Sequence, residues 1–245
     1  MIAKPKTKKN TINLKAHQSM FELEPSPIDD FVEDADILEF ACKSNGKDNY
    51  NLGFKGWDSF DRASKIYKQF APLDTKLEEM VKSEMAIVGW SPNSISIYFE
   101  TKSNKLIDYL YTFNKLESPL FSLISNKLIV GIKHFNNGEE KVKYYFPFEK
   151  EDFLRNLSLP VWKSLPIGFR NNWFGDITCV YLEYDEKKYD IHFGIFASPE
   201  GRTFFESDLK DVKIPQPLKN RITWIGIPLE QYKNNCIQDY SYYYV

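Results

Sequence analysis

The chain alternates between two kinds of segment. Runs with period-2 alternation of apolar and polar residues come in pairs, and stretches with helical spacing separate the pairs. The strand-like runs are 37–43 (ILEFACK), 51–57 (NLGFKGW), 84–90 (EMAIVGW), 94–100 (SISIYFE), 127–135 (KLIVGIKHF), 140–148 (EKVKYYFPF), 177–185 (ITCVYLEYD), 189–197 (YDIHFGIFA), 222–228 (ITWIGIP) and 239–245 (DYSYYYV). Turn residues join most pairs: Ser44-Asn45-Gly46, Ser91-Pro92-Asn93, Asn136-Asn137-Gly138 and Asp185-Glu186-Lys187. Helices are expected near 15–34, 59–82, 103–116, 150–158 and 199–211. The hairpins begin at 37, 84, 127, 177 and 222, a repeat of about 45 residues.

That repeat narrows the fold. Paired strands argue against a doubly wound sheet, which alternates single strands with helices. Regular helices argue against a sandwich, and a propeller of this period would need four strands per unit. The pattern predicts an α+β protein, a ten-stranded antiparallel β-barrel of repeated hairpin–helix units with helices outside. Closure of so large a twisted sheet would also remove its edges.

Alternation then sorts residues between two faces. An apolar face carries Leu38, Phe40, Cys42, Leu52, Phe54, Ile95, Ile97, Phe99, Val142, Tyr144, Phe146, Ile191, Phe193, Tyr242 and Tyr244. Helices need such a face to cover, so it points outward. The other face lines the interior with Glu39, Lys43, Lys55, Trp57, Ser94, Ser96, Tyr98, Lys133, Lys141, Lys143, Tyr145, Asp190, His192, Ser241 and Tyr243. Unpaired charges cannot be buried dry without a cost of several kcal/mol each, so this interior is wet or holds a polar ligand. Converging Lys ammoniums and Tyr hydroxyls suit a diphosphate or another polyanion. Aromatic faces beside them suit a hydrocarbon tail or a carbocation.

Composition adds limits. Lys and Arg number 32 against 34 Asp and Glu, a net charge of −2, which argues against a general nucleic-acid binder or a membrane-surface protein. Aromatics reach 16%, as many strands or an aromatic-lined cavity would require. Cys42, Cys179 and Cys236 are scattered with no CxxC pair, so neither a zinc site nor a disulfide framework is expected. No signal peptide pattern and no run of 18 apolar residues occurs, which points to the cytoplasm. Residues 1–14, with Lys4, Lys6, Lys8 and Lys9, read as a flexible basic tail before a single domain over 15–245. No nucleotide-binding glycine motif is present. Asp29-Asp30 with Asp34 imitates an aspartate-rich metal motif, but acidic residues after Pro25 and Pro27 favour a helix start, so no metal site is assigned there.

Three segments carry a family resemblance. The ending TWIGIPLEQYKNNCIQDYSYYYV resembles the C-terminus of the cyanobactin prenyltransferases, which attach isoprenyl groups to ribosomally made cyclic peptides. The early FELEPSPIDDFVEDADILEFACKS is similar to the first helix and strand of that family, where a Leu-Glu-x-x-Cys-Lys string occurs. The middle VGIKHFNNGEEKVKYYFPFEKEDF resembles its third hairpin, and Lys-x-Tyr-Phe-Pro at 143–147 is also similar to the wider soluble aromatic prenyltransferases.

The resemblance implies a PT (ABBA) barrel and a reaction. An allylic diphosphate, dimethylallyl or geranyl, would ionise inside the barrel with Mg2+ on its diphosphate and no organic cofactor. A Tyr, Trp or Arg side chain of a cyclic or linear peptide would capture the cation. On this implication Glu39 is the base; Lys55, Lys133 and Lys143 grip the diphosphate; Tyr145 and Tyr243 shield the cation, joined by Tyr98 on the strength of its inward facing alone. His192 and Trp57 become pocket walls. The sequence departs from the family at Ser94, Ser96 and Ser241, where basic residues are expected, and the chain is shorter than typical members. The alternative is a non-catalytic barrel that binds an anionic amphiphile or a precursor peptide.

Overall fold

A computed structural model describes residues 9–45, 49–103, 105–109, 128–148, 180–185, 188–194, 209 and 211–245. Ten strands lie within them: β1 (Ile37–Lys43), β2 (Asn49–Lys55), β3 (Met85–Ser91), β4 (Ser94–Thr101), β5 (Leu128–Phe135), β6 (Glu140–Phe148), β7 (Val180–Asp185), β8 (Lys188–Gly194), β9 (Ile222–Pro228) and β10 (Ser241–Tyr244). Each pairs antiparallel with its neighbour in sequence. β10 pairs back onto β1, with Phe40 opposite Tyr244 and Ala41 opposite Tyr243, so the sheet closes.

Two of the expected helices break at identifiable residues. The stretch expected as 15–34 is α1 (Lys9–Phe21) followed by a 3-10 turn over Asp29–Asp34. Glu22, at φ 53, ends α1, and Pro25 and Pro27 prevent its resumption. The stretch expected as 59–82 is α2 (Ser59–Tyr67) and α3 (Thr75–Met80), separated around Pro72. The Asp74 side chain caps α3 by accepting from the Leu77 N–H at 2.9 Å. Of the helix expected at 103–116, residues 105–109 are helical; the helix expected at 150–158 and all of that expected at 199–211 except Leu209 and Asp211, which are not helical, lie outside the described residues.

Of the segment expected as a flexible tail, 1–14, residues 1–8 lie outside the described residues, while 9–14 are helical and Leu14 is buried. The Asn10 side chain donates to the carbonyls of Val32 and Ala35, at 3.2 and 3.1 Å, and the Thr11 N–H donates to Glu33 at 2.8 Å. Backbone fixed by long-range bonds of this kind does not behave as a frayed terminus.

The core lies between sheet and helices, on the outward face of the strands. Phe40, Phe54, Phe99, Phe146 and Phe193 are almost inaccessible there, and each such side chain stabilises the fold by roughly 1.5–3 kcal/mol. The buried side of α2 (Phe60, Ala63, Ser64, Tyr67) follows helical spacing over β2–β4, and Phe60 meets Phe99 edge-on at 5.2 Å. α1 covers the β1–β10 seam, where His17 stacks on Phe40 at 4.0 Å between ring centroids. This packing leaves the second face of every strand for the lumen.

Candidate functional site

Close approaches to three glycines identify the lumen face. Tyr98 on β4 stands directly opposite Gly131 on β5, and a Cβ on that glycine would lie 2.6 Å from the Tyr98 ring. His192 on β8 stands opposite Gly226 on β9 with the same 2.6 Å approach. Gly89 has Asn51 on one side and Ser96 on the other, at 2.6 and 2.7 Å from such a Cβ. A glycine opposite a large inward side chain gives that side chain space that any other residue would fill.

Rings on this face form a belt. Tyr98 meets Tyr145 at 6.0 Å, Tyr145 meets His192 at 5.8 Å, and His192 meets Tyr243 at 6.1 Å, all between ring centroids. The four residues sit on β4, β6, β8 and β10, so the belt spans seven of the ten strands. Tyr243 is paired with Trp224 of β9 and with Ala41 of β1, two residues from Glu39.

Glu39 sits on the far side from Lys143. β1 and β6 are five strands apart whichever way the ring is followed, so Glu39 and Lys143 are carried by opposing walls. Lys143 is opposite Gly131, and Lys133 is opposite both Ser96 and Lys141. All three lysines are half-buried. Lys133 also lies over the Phe135 ring at 5.0 Å, and Lys141 Nζ is 3.8 Å from Glu139. Ser94 and Ser96 are buried, with the Ser94 hydroxyl 2.6 Å from that of Ser91 and Ser96 donating to the Gly89 carbonyl at 3.3 Å.

A cavity of about 870 Å3 opens at the end where β1, β3 and β9 begin, and its walls include Glu39, Asn51, Ile87, Asn13, Arg221 and Trp224. Glu39 is half-buried as a residue because it borders this space, yet its carboxyl is enclosed by protein. Burial pushes the Glu39 carboxyl up to about 6, against the opposing pulls of the Asn51 hydrogen bond and of His192. An acid in that range can take a proton near neutral pH.

Two candidates do not join this constellation. Trp57 was expected inside, but β2 ends at Lys55 and Gly56 turns the chain with φ 97. Alternation therefore stops before Trp57, which is 89% exposed. Lys55 is exposed at the strand end, where its backbone N–H donates to Asp36. The carboxylate of Asp29 is occupied structurally, accepting from Gln18 at 2.9 Å, from Ser26 and from the Tyr50 hydroxyl. Among the described residues no three His, Cys, Asp or Glu side chains cluster as a metal site, and no described helix is long and apolar enough to cross a membrane.

The sequence reading missed Asn51, Trp224, Arg221 and Asn13. For the first the signal was present: in NYNLGFK, Asn51 shares the period-2 face of Lys55. Trp224 likewise alternates with the outward Ile225.

The fold and site define a closed antiparallel barrel with a polar, aromatic lumen open to a cavity. No family model matches the sequence, and no curated protein matches it. Among solved structures the chain is similar to one described as the crystal structure of NotF prenyltransferase, at 13% identity and a TM-score of 0.44, over 85% of this chain and 80% of that one.

Proposed function

We propose that this protein is a prenyltransferase that moves an isoprenyl group from an allylic diphosphate, dimethylallyl or geranyl, to a Tyr, Trp or Arg side chain of a cyclic or linear peptide. The observation that carries the reading is the ring belt Tyr98–Tyr145–His192–Tyr243, set between the Glu39 wall and the Lys143 wall. Such a belt suits an allylic cation, which aromatic faces stabilise while excluding water. The segment resemblances point the same way.

In this reading Lys143 and Lys133 hold the diphosphate. The allylic C–O bond breaks with its electron pair leaving on the diphosphate. The acceptor side chain then bonds to the cation, and its proton passes to Glu39. Mg2+ would travel as part of the substrate on the diphosphate oxygens, a hard cation bound by hard ligands. Lys55 would act only from the rim.

A second reading has a specific observation behind it. Ser94 and Ser96 are buried and hydrogen-bonded where the resemblance implies cations, and Ser241 replaces another. A barrel with this weaker grip would bind an anionic amphiphile or a precursor peptide without turnover. The deciding test is mass spectrometry after incubation with dimethylallyl diphosphate, Mg2+ and cyclic peptides offering Tyr, Trp or Arg. One isoprenyl increment, lost in Glu39→Gln, supports transfer. Binding of the donor or of the peptide with no increment supports the binding protein, and neither binding nor increment overturns both.

A further inference from the structure

α1 carries a run of polar residues, and each has a visible structural reason except one. Asn10 and Thr11 tie the helix to the turn that follows it, through Val32, Ala35 and Glu33. His17 bonds the Tyr244 hydroxyl, and Gln18 donates to Asp29 at 2.9 Å. Lys15 and Ser19 are exposed. Asn13 is half-buried, and its carboxamide has no partner among the described residues. It lines the same cavity as Glu39, Asn51 and Trp224.

Asparagine is a poor choice inside a helix, because its side chain competes with the backbone. A residue that weakens its own element and pairs with nothing in it is expected to act on something else. A carboxamide presents a donor and an acceptor side by side. That pattern is complementary to the N–H and C=O of one extended peptide residue.

We propose that Asn13 is a specificity-determining residue that reads the main chain of a peptide acceptor while the acceptor's side chain enters toward Glu39. This rests on the peptide-prenylation reading above. Trp224, on the same cavity wall and opposite Tyr243 in register, supplies the apolar surface against which the entering side chain rests. Arg221, whose Nε–H donates to the Val245 carbonyl at 2.8 Å, stands at the mouth beside it.

The test compares full-length wild type, Asn13→Ala and Asn13→Gln on two kinds of acceptor. One kind is a head-to-tail cyclic peptide with a single Tyr, Trp or Arg. The other is its main-chain-free analogue: p-cresol, skatole or methylguanidine. Asn13→Ala should raise KM for the peptide roughly tenfold with kcat unchanged, and leave the analogue's kinetics as they are. Asn13→Gln, which keeps the carboxamide, should restore part of the loss. Thermal melting should show Asn13→Ala at least as stable as wild type, since alanine is the better helix former.

Equal losses on peptide and analogue, or an unchanged peptide KM, overturn the proposal. Where wild type turns over no acceptor, calorimetric binding of the cyclic peptide decides. Binding by wild type that Asn13→Ala weakens supports Asn13 while the transfer reading fails. Equal binding by both overturns the role of Asn13, and no binding to either overturns the role and the peptide reading together.

Discussion

The Glu39 carboxylate and the Asn51 carboxamide face each other across the β1–β2 pairing, joined by a 2.9 Å hydrogen bond from Asn51 Nδ2. Strand alternation explains the geometry, because residues directly opposite in an antiparallel pair share a face. The bond orients a carboxyl that burial has made reluctant to ionise. Asn51 therefore partly offsets the desolvation of Glu39 without removing it.

That balance predicts a link between pH, activity and stability. If Glu39 acts as base, transfer should rise with pH through about 6, the range to which burial raises it, and Glu39→Gln should abolish it at every pH. Stability should move the other way. The folded state holds the proton more firmly than the unfolded one, so ionising Glu39 costs roughly 2 kcal/mol once pH passes from 4.5 to above 6. Urea titrations should then find Glu39→Gln more stable than wild type at neutral pH by up to that amount, with the difference vanishing near pH 4.5. A variant that loses stability at neutral pH would contradict this.

His17 should produce the opposite slope. Burial first, and Arg221 second, hold its imidazole down at about 4, from an ordinary 6.5. The neutral ring is stacked on Phe40 and bonded to Tyr244, so its contribution is complete above pH 6.5 and is lost as pH falls toward 4. The loss amounts to about 2–3 kcal/mol. Between pH 6.5 and 4.5 it nearly cancels the relief of Glu39. Glu39→Gln should therefore lose more stability than wild type as pH falls through this window, and the added His17→Phe should reduce that loss. An unchanged slope in that double variant would show that another group carries the acid sensitivity.

The outward and inward faces were largely legible because period-2 alternation is a strong signal over runs such as SISIYFE, where Ile95, Ile97 and Phe99 are buried under helices and Tyr98 points inward. The aromatic belt was legible for the same reason. What failed was local punctuation. Alternation carried through Gly56 placed Trp57 inside, although a left-handed glycine ends the strand before it. The cavity wall supplied by α1 was not legible at all. Asn13 belongs to a segment that reads as a basic tail, and its docking depends on Val32, Ala35 and Tyr244, residues distant in the chain.

The glycines opposite the belt should be intolerant of a single methyl group. A Cβ at residue 131 would meet two Tyr98 ring atoms at 2.6 Å, and one at residue 226 would meet His192 at 2.6 and 2.8 Å. Neither ring can swing away freely, since each already touches its neighbour in the belt. Gly131→Ala and Gly226→Ala should each cost about 1–3 kcal/mol of stability. They should also lower transfer more than the loss of folded protein explains. Gly138→Ala is the control for backbone strain alone, with φ 85 and nothing within 4 Å of its added Cβ. Comparable damage from all three would show that the belt contacts are not what matters.

Lys133 and Lys141 stand directly opposite each other on β5 and β6, two like charges on one face of the sheet. Like charges so placed repel by a few tenths to about 1 kcal/mol where nothing offsets them, and Glu139 lies 3.8 Å from Lys141 Nζ. A polyanion bound between the two lysines would gain from both, most of all at low salt, where the attraction is least screened. Inorganic pyrophosphate is such an anion. Bound at a hundred times its Kd, it stabilises the folded state by about 2.7 kcal/mol. The resulting rise in Tm should be largest for wild type, and smaller in Lys133→Met and Lys143→Met. Differential scanning calorimetry with and without pyrophosphate measures the shift. Equal pyrophosphate shifts in all three proteins would remove these lysines from the anion site and leave the lumen without its proposed diphosphate end.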